Sequence, residues 1–150
     1  MCLRILVLIA FLLFTLGGGS TIGALTAPGE WYAGLEKPAF NPPGWVFGPV
    51  WFVLYILVGV AGWRVWQHRR GTAQRLWWVQ IVLNFAWPMA FFSLHLTGVA
   101  LVVVMLLLAT ILAFVGVAWR QDRISAWLFV PYAAWVSYAT LLNASIWWLN

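Results

Sequence analysis

Acidic residues are nearly missing from this chain of 150: Glu30, Glu36 and Asp122 are the whole set, and none falls within a long apolar run. Coupled pumps and antiporters move protons through intramembrane carboxylates, and no such relay is available here. Cysteine is as scarce. Cys2 stands alone, which excludes an intrachain disulfide, a CxxC pair and a Cys/His cluster for zinc or an iron–sulfur centre. No glycine-rich phosphate loop, HExxH pair or well-placed Ser/His/Asp set occurs, so no metal site and no nucleotide or hydrolase chemistry is expected. Charged residues of both signs make up 7% of the chain, against about 25% in soluble domains. The net charge of +5 comes from basic residues in short connections between apolar runs, which argues against nucleic acid as a partner.

What remains is apolar and aromatic: 65% hydrophobic residues, a mean hydropathy of +0.94 and 13 tryptophans. Apolar stretches at about 3–25, 44–66, 73–95, 97–119 and 124–148 each match the roughly 20 residues that a helix needs to cross a bilayer core. With several spans and no alternating strand pattern, the expectation is an all-α membrane protein, a single domain folded as a bundle of five transmembrane helices. The first stretch also has features of a signal peptide: Arg4, an apolar run from Ile5 to Leu16, then Gly17-Gly18-Gly19-Ser20. Against cleavage, the run resumes through Leu25, and Gly19 with Gly23 forms a small-xxx-small pair suited to helix packing. It is kept here as a span.

Arg4, Arg64, Arg69, Arg70, Arg75, Arg120 and Arg123 gather on one side of this topology, with only Lys37 on the other. The positive-inside tendency then places the N-terminus in the cytoplasm and the first long loop and the C-terminus opposite, and with helical spans it favours an inner membrane. That loop, residues 26–43, carries Pro28, Pro38, Pro42 and Pro43 with Trp31, Tyr32, Leu35 and Phe40. Its composition fits an ordered lid and also fits an anchor lying in the headgroup region.

Most of the tryptophans sit near span ends, where indoles favour the interface; Trp63, Trp66, Trp77, Trp78, Trp119 and Trp127 are sorted there on one side, Trp31, Trp45, Trp147 and Trp148 on the other. Trp51, Trp87 and Trp135 lie roughly 10, 12 and 20 Å deep at the rise of an α-helix, too deep for that belt. Helical spacing puts Trp77, Gln80, Asn84, Trp87 and Phe91 on one face of the third span. A similar stripe of Pro131, Trp135, Tyr138/Ala139 and Leu142 marks the fifth, and Trp51, Tyr55 and Val58 mark the second. These faces read equally as interhelical packing, with Asn84, Gln80 and Asn143 hydrogen-bonding across helices, or as the lining of a pocket that Pro88 and Pro131 help to widen. His68 reads as solvated among arginines. His95, at the loop-side end of the third span, is a candidate haem ligand or simple polar punctuation. Ala86/Ala90 and Gly19/Gly23 are candidate faces for self-association.

The run Trp31-Tyr32-x-x-Leu35-x-Lys37-Pro38-x-Phe40-Asn41-Pro42-Pro43-x-Trp45-x-Phe47-x-Pro49-Val50-Trp51-x-x-Leu54-Tyr55 resembles the tryptophan-rich sensory protein family (TspO/MBR), whose mitochondrial member is the translocator protein, or peripheral benzodiazepine receptor. Gln80-x-x-x-Asn84-x-x-Trp87-x-x-x-Phe91-Phe92 and Pro131-Tyr132-x-x-Trp135-x-x-x-Ala139-x-x-Leu142-Asn143 extend the likeness along the chain. The resemblance implies a five-helix membrane protein, commonly a homodimer, that binds porphyrins such as protoporphyrin IX and haem, sterols, and isoquinoline or benzodiazepine ligands beneath the first loop. It requires no cofactor. The implied lining is Trp31, Tyr32, Trp51, Asn84, Trp87, Trp135 and Ala139. The family's sterol motif ends in a basic residue near the C-terminus, whereas no basic residue follows Arg123 here. The resemblance implies a porphyrin sensor or transporter, with two alternatives: an enzyme degrading porphyrin in light and oxygen through Trp51 and Trp135, or a non-catalytic scaffold. It also raises the outer membrane as an alternative location.

Overall fold

The computed structural model describes residues 2–68 and 71–150, and every regular element among them is helical. In chain order these are α1 (Cys2–Leu25), a short α2 (Glu30–Gly34) within the first loop, α3 (Phe47–Gln67) entered through a 3-10 turn at Gly44–Val46, α4 (Gly71–Pro88) continued by a π-helical turn at Met89–Ser93, α5 (Thr97–Gln121) and α6 (Arg123–Leu149). Five of them are long and apolar enough to cross a membrane, as the five apolar stretches predict. Around the bundle α3 lies between α1 and α6, α5 lies between α6 and α4, and α4 returns towards α1 and α3.

Close approach of the helices depends on missing side chains. A Cβ on Gly62 of α3 would collide with the indole of Trp77, which enters from α4. That ring is fully buried, and its Nε1–H donates to the Val58 carbonyl at 2.9 Å. Trp77 is therefore a core residue and not the interface anchor expected from its place near a span end. The Gly62 slot and the accepting carbonyl give the indole what the headgroup region would otherwise supply. Gly19 of α1 makes room in the same way for the ring of Tyr55 on α3, while Thr15 Oγ1 donates to the Tyr55 carbonyl at 2.9 Å. Gly19 is thus consumed inside the chain and is not free for a second copy; Ala90 is likewise buried, against Phe91, Ala100 and Ile146. Both expected self-association pairs lose one member to internal packing.

The end of α4 also departs from the expected continuous helix to residue 95. Pro88 cannot donate to the ladder, and the chain widens into i to i−5 bonding, with Leu94 N–H on the Met89 carbonyl at 3.0 Å. His95 then takes a left-handed φ of 57°, uncommon for a residue with a Cβ. This sharp finish turns the ring of His95 under Trp31 of the loop, at a centroid distance of 4.0 Å.

At the opposite end Arg64 clamps Asp122 through Nε and Nη2 at 2.9 and 2.8 Å, and Ser125 Oγ donates to the same carboxylate at 2.6 Å. Burial alone would raise the Asp122 carboxyl, but the hydrogen bonds from Arg64 and Ser125 and the charges of Arg64 and His68 outweigh it and hold it down at about 2. Trp63 Nε1 donates to the Arg4 carbonyl at 2.9 Å, fixing the start of α1 beside the end of α3. Arg4, Arg64 and Asp122 thus gather at one end, as the charge count predicts; Arg69 and Arg70 lie outside the described residues.

The Gly62 slot makes a prediction. Gly62→Ala is expected to destabilise the protein by about 1–3 kcal/mol, the usual cost of overpacking a filled core. Gly116→Ala, where a Cβ meets open space, is expected to leave stability unchanged or slightly raised. Denaturant unfolding of the two variants in detergent checks the contrast.

Candidate functional site

A buried amide organises the middle of the bundle. Asn84 of α4 lies only 3% exposed. Its Oδ1 accepts from Tyr55 Oη of α3 at 2.8 Å, and its Nδ2 donates to Tyr132 Oη of α6 at 2.8 Å. Tyr132 in turn donates to Gln80 Oε1 at 2.9 Å. Four side chains from three helices therefore form one chain of hydrogen bonds in a region where an unpaired amide is costly. On it rests Trp51, stacked on Tyr55 at 5.4 Å and set edge-on to Tyr132 at 6.3 Å.

A second aromatic group lies towards the loop. Trp87 donates through Nε1 to Asn143 Oδ1 at 2.9 Å, and Asn143 Nδ2 donates to the Thr97 carbonyl at 2.9 Å, so this indole is held from α6. Above it Phe91 and Phe92, turned by the π-helical segment, meet Trp31 and Tyr32 of α2 edge-on at 5.4–6.2 Å. A third group is on α6, where Trp135 packs against Phe47 at 5.8 Å and Tyr138 at 5.6 Å. Tyr138 Oη donates to the Phe40 carbonyl of the loop at 2.6 Å. Ala139 is buried one turn beyond Trp135.

The loop is tied down at several points. Asn150 accepts from the Glu36 N–H at 2.9 Å and donates to the Glu36 carbonyl at 3.0 Å, a two-bond clasp between the end of α6 and the loop. Lys37 Nζ reaches the carbonyls of Leu35 and Ala33 at 3.0 and 3.2 Å and sits over the Tyr32 ring. Tyr32 Oη donates to Asn41 Oδ1 at 3.3 Å. Burial raises the Tyr32 phenol above its ordinary value despite that hydrogen bond, so it is neutral at physiological pH. The segment is thus an ordered cover on the ends of α4 and α6.

Each residue named from the sequence falls into one of these groups: Trp51 and Asn84 in the first, Trp31, Tyr32 and Trp87 in the second, Trp135 and Ala139 in the third. No ring pair joins Trp51, Trp87 and Trp135 directly among the described residues, and all three residues are part-buried. Buried donors without partners are Trp135 Nε1, Gln80 Nε2 and Gln67 Nε2 among the described residues. The stripe expected on the fifth span is borne out at Ala139 and Leu142, both buried, and not at its start. Pro131 is exposed, and the buried face runs through Phe129, Tyr132, Val136, Ala139, Asn143 and Ile146. Tyr132, which that stripe passes over, is buried and joins the amide chain; its spacing of 4, 3 and 4 to Val136, Ala139 and Asn143 carries the signal.

A model of the TspO/MBR family matches residues 7–149. The human translocator protein is 40% identical over 86% of this chain and 82% of its own length. Protein CrtK of Rhodobacter capsulatus is 38% identical over 85% and 83%. The tryptophan-rich protein TspO of Archaeoglobus fulgidus is 36% identical over 99% of both chains.

The amide chain is directly testable. Asn84→Leu strands the hydroxyl of Tyr55 and removes the donor to Tyr132, which keeps its bond to Gln80, and is expected to destabilise the bundle by about 1–3 kcal/mol for the buried hydroxyl left unpaired. Adding Tyr55→Phe to Asn84→Leu should recover part of that loss, because the stranded hydroxyl disappears. Unfolding in detergent measures the difference; a double variant less stable than Asn84→Leu would contradict the arrangement.

Proposed function

The chain belongs to the TspO/MBR family, and from that premise we propose that it binds a tetrapyrrole, protoporphyrin IX or haem, beneath the first loop and acts as a membrane sensor or transporter for it. The observation that carries the reading is the Trp135 indole N–H, buried and without a partner among the described residues, in a part-buried aromatic group with Phe47 and Tyr138. An orphaned donor at such a place is costly unless a ligand supplies an acceptor. A flat conjugated ring with carboxylate arms offers both a face for Trp51, Trp87 and Trp135 and an acceptor for that donor. Asn84 acts as the brace holding Tyr55 and Tyr132 behind Trp51, and Trp31 and Tyr32 close the top. Flat isoquinoline or benzodiazepine compounds are further ligands in this reading, whereas a sterol would lack the basic residue that the family's motif places near the C-terminus. Names such as translocator and sensory protein among the relatives support it. The basic end faces the cytoplasm and the loop faces outward from an inner membrane, by the arginine asymmetry. Self-association as a homodimer uses a lipid-facing surface that leaves Gly19 and Ala90 in place.

Tryptophan-quenching titrations with protoporphyrin IX test the proposal. Trp51→Ala is expected to weaken affinity about tenfold to a hundredfold, through lost ring area. Trp135→Phe keeps most of the ring and removes only the donor, and a loss of about tenfold is expected. Trp147→Phe, at a residue 51% exposed, should bind as wild type. Equal losses at Trp147 and Trp135 would contradict the assignment.

A further inference from the structure

Far from the loop, at the basic end of the bundle, the start of α1, the end of α3 and the start of α4 border a cavity of about 400 Å³ lined by Leu3, Arg4, Trp66, Gln67 and Gln74. Its chemistry is one-sided. Arg4 has no ion-pair partner among the described residues, and its backbone is pinned at the cavity wall because its carbonyl accepts from Trp63 Nε1. The Gln67 amide nitrogen is buried with no hydrogen-bond partner among the described residues. No acid lines the space, and Asp122, the one acid at this end, is already engaged by Arg64 and Ser125. A cationic fork, an orphaned amide donor and a second amide around an acid-free space call for an anionic ligand rich in acceptors. The remaining walls, Leu3 and Trp66, are apolar, and Leu3, Leu6 and Leu13 continue along α1 as exposed apolar side chains, 61–68% accessible.

We propose that this cavity is a phosphate-ester site, filled from the adjoining leaflet by the headgroup of an anionic phospholipid. Arg4 and the Gln67 amide donate to the phosphate oxygens, Gln74 supplies a further donor, Trp66 covers the glycerol, and the acyl chains lie along Leu6 and Leu13. The site is separate from the aromatic groups beneath the loop and stands whether or not a tetrapyrrole binds there.

Native mass spectrometry of the full chain in detergent tests it with three probes: dioleoylphosphatidylglycerol, dioleoylglycerol, which has the same chains and no phosphate, and glycerol 3-phosphate, which has the phosphate and no chains. Wild type is expected to retain one phosphatidylglycerol and to hold dioleoylglycerol at least about tenfold more weakly. Arg4→Gln and Gln67→Leu should each lower phosphatidylglycerol retention by about tenfold, while Arg75→Gln, which removes the same charge outside the cavity, should leave it unchanged. Gln67→Leu carries the test if Arg4→Gln loosens α1. Equal retention of dioleoylglycerol, or equal loss in Arg75→Gln, would overturn the site. Displacement of the lipid by equimolar glycerol 3-phosphate would overturn the leaflet as its source.

Discussion

An amide placed in hydrocarbon must find both a donor and an acceptor, and Asn84 finds them on two different helices. Tyr55 donates to it from α3 and Tyr132 accepts from it on α6. Lipid offers neither helix a competing partner, so this requirement fixes how α3, α4 and α6 are rotated against one another. Much else in the bundle follows from that rotation. Tyr55 needs the gap at Gly19 on α1, Trp51 takes its seat from the rings of Tyr55 and Tyr132, and Gln80 is drawn in by the hydroxyl of Tyr132.

Indole donors extend the same logic through the molecule. Trp77 bonds to a helix carbonyl, Trp87 to Asn143 and Trp63 to the Arg4 carbonyl. Trp77 and Trp87, side chains that prefer an interface, are held inside the bundle by an acceptor provided for each, while Trp63 joins two helices at the basic end. Trp135 breaks the pattern, since its N–H is buried without a partner. Among the described residues it is the one tryptophan whose buried N–H has no acceptor within the fold. The loop that ends near it is braced by Asn150, Tyr138, Lys37 and the pair of His95 and Trp31.

How much of this is legible in the sequence depends on the length scale of the signal. Spans of more than 20 apolar residues can hardly be anything but membrane helices, and the basic residues beside them mark one end, so the five-helix bundle is readable at once. The face of the third span is readable too, because Gln80 and Asn84 interrupt an apolar run at helical spacing. Trp77 shares that face, but its place near a span end equally suits an interface anchor, and what decides for the core is the absence of a side chain at Gly62 on another helix. Tyr132 is obscured by its neighbour Pro131, which suggests a kink and starts the stripe one residue early, although Ala139 and Leu142 fall on it as expected. The π-helical finish of α4 follows Pro88, but the pairing of His95 with Trp31 that rewards it depends on where a distant loop settles. Local periodicity speaks for one helix at a time, whereas these features are agreements between two.

The central claim is that the fold supplies acceptors to the indoles of Trp63, Trp77 and Trp87 and leaves the buried N–H of Trp135 to the ligand proposed above. Solid-state or solution NMR of the indole ¹⁵N–¹H signals, recorded before and after loading with protoporphyrin IX, measures this most directly. The account predicts that the Trp135 signal moves downfield as its proton gains an acceptor, while the Trp77 signal, already bonded to Val58, stays in place. A loaded protein in which Trp135 is unmoved and Trp77 shifts would contradict it.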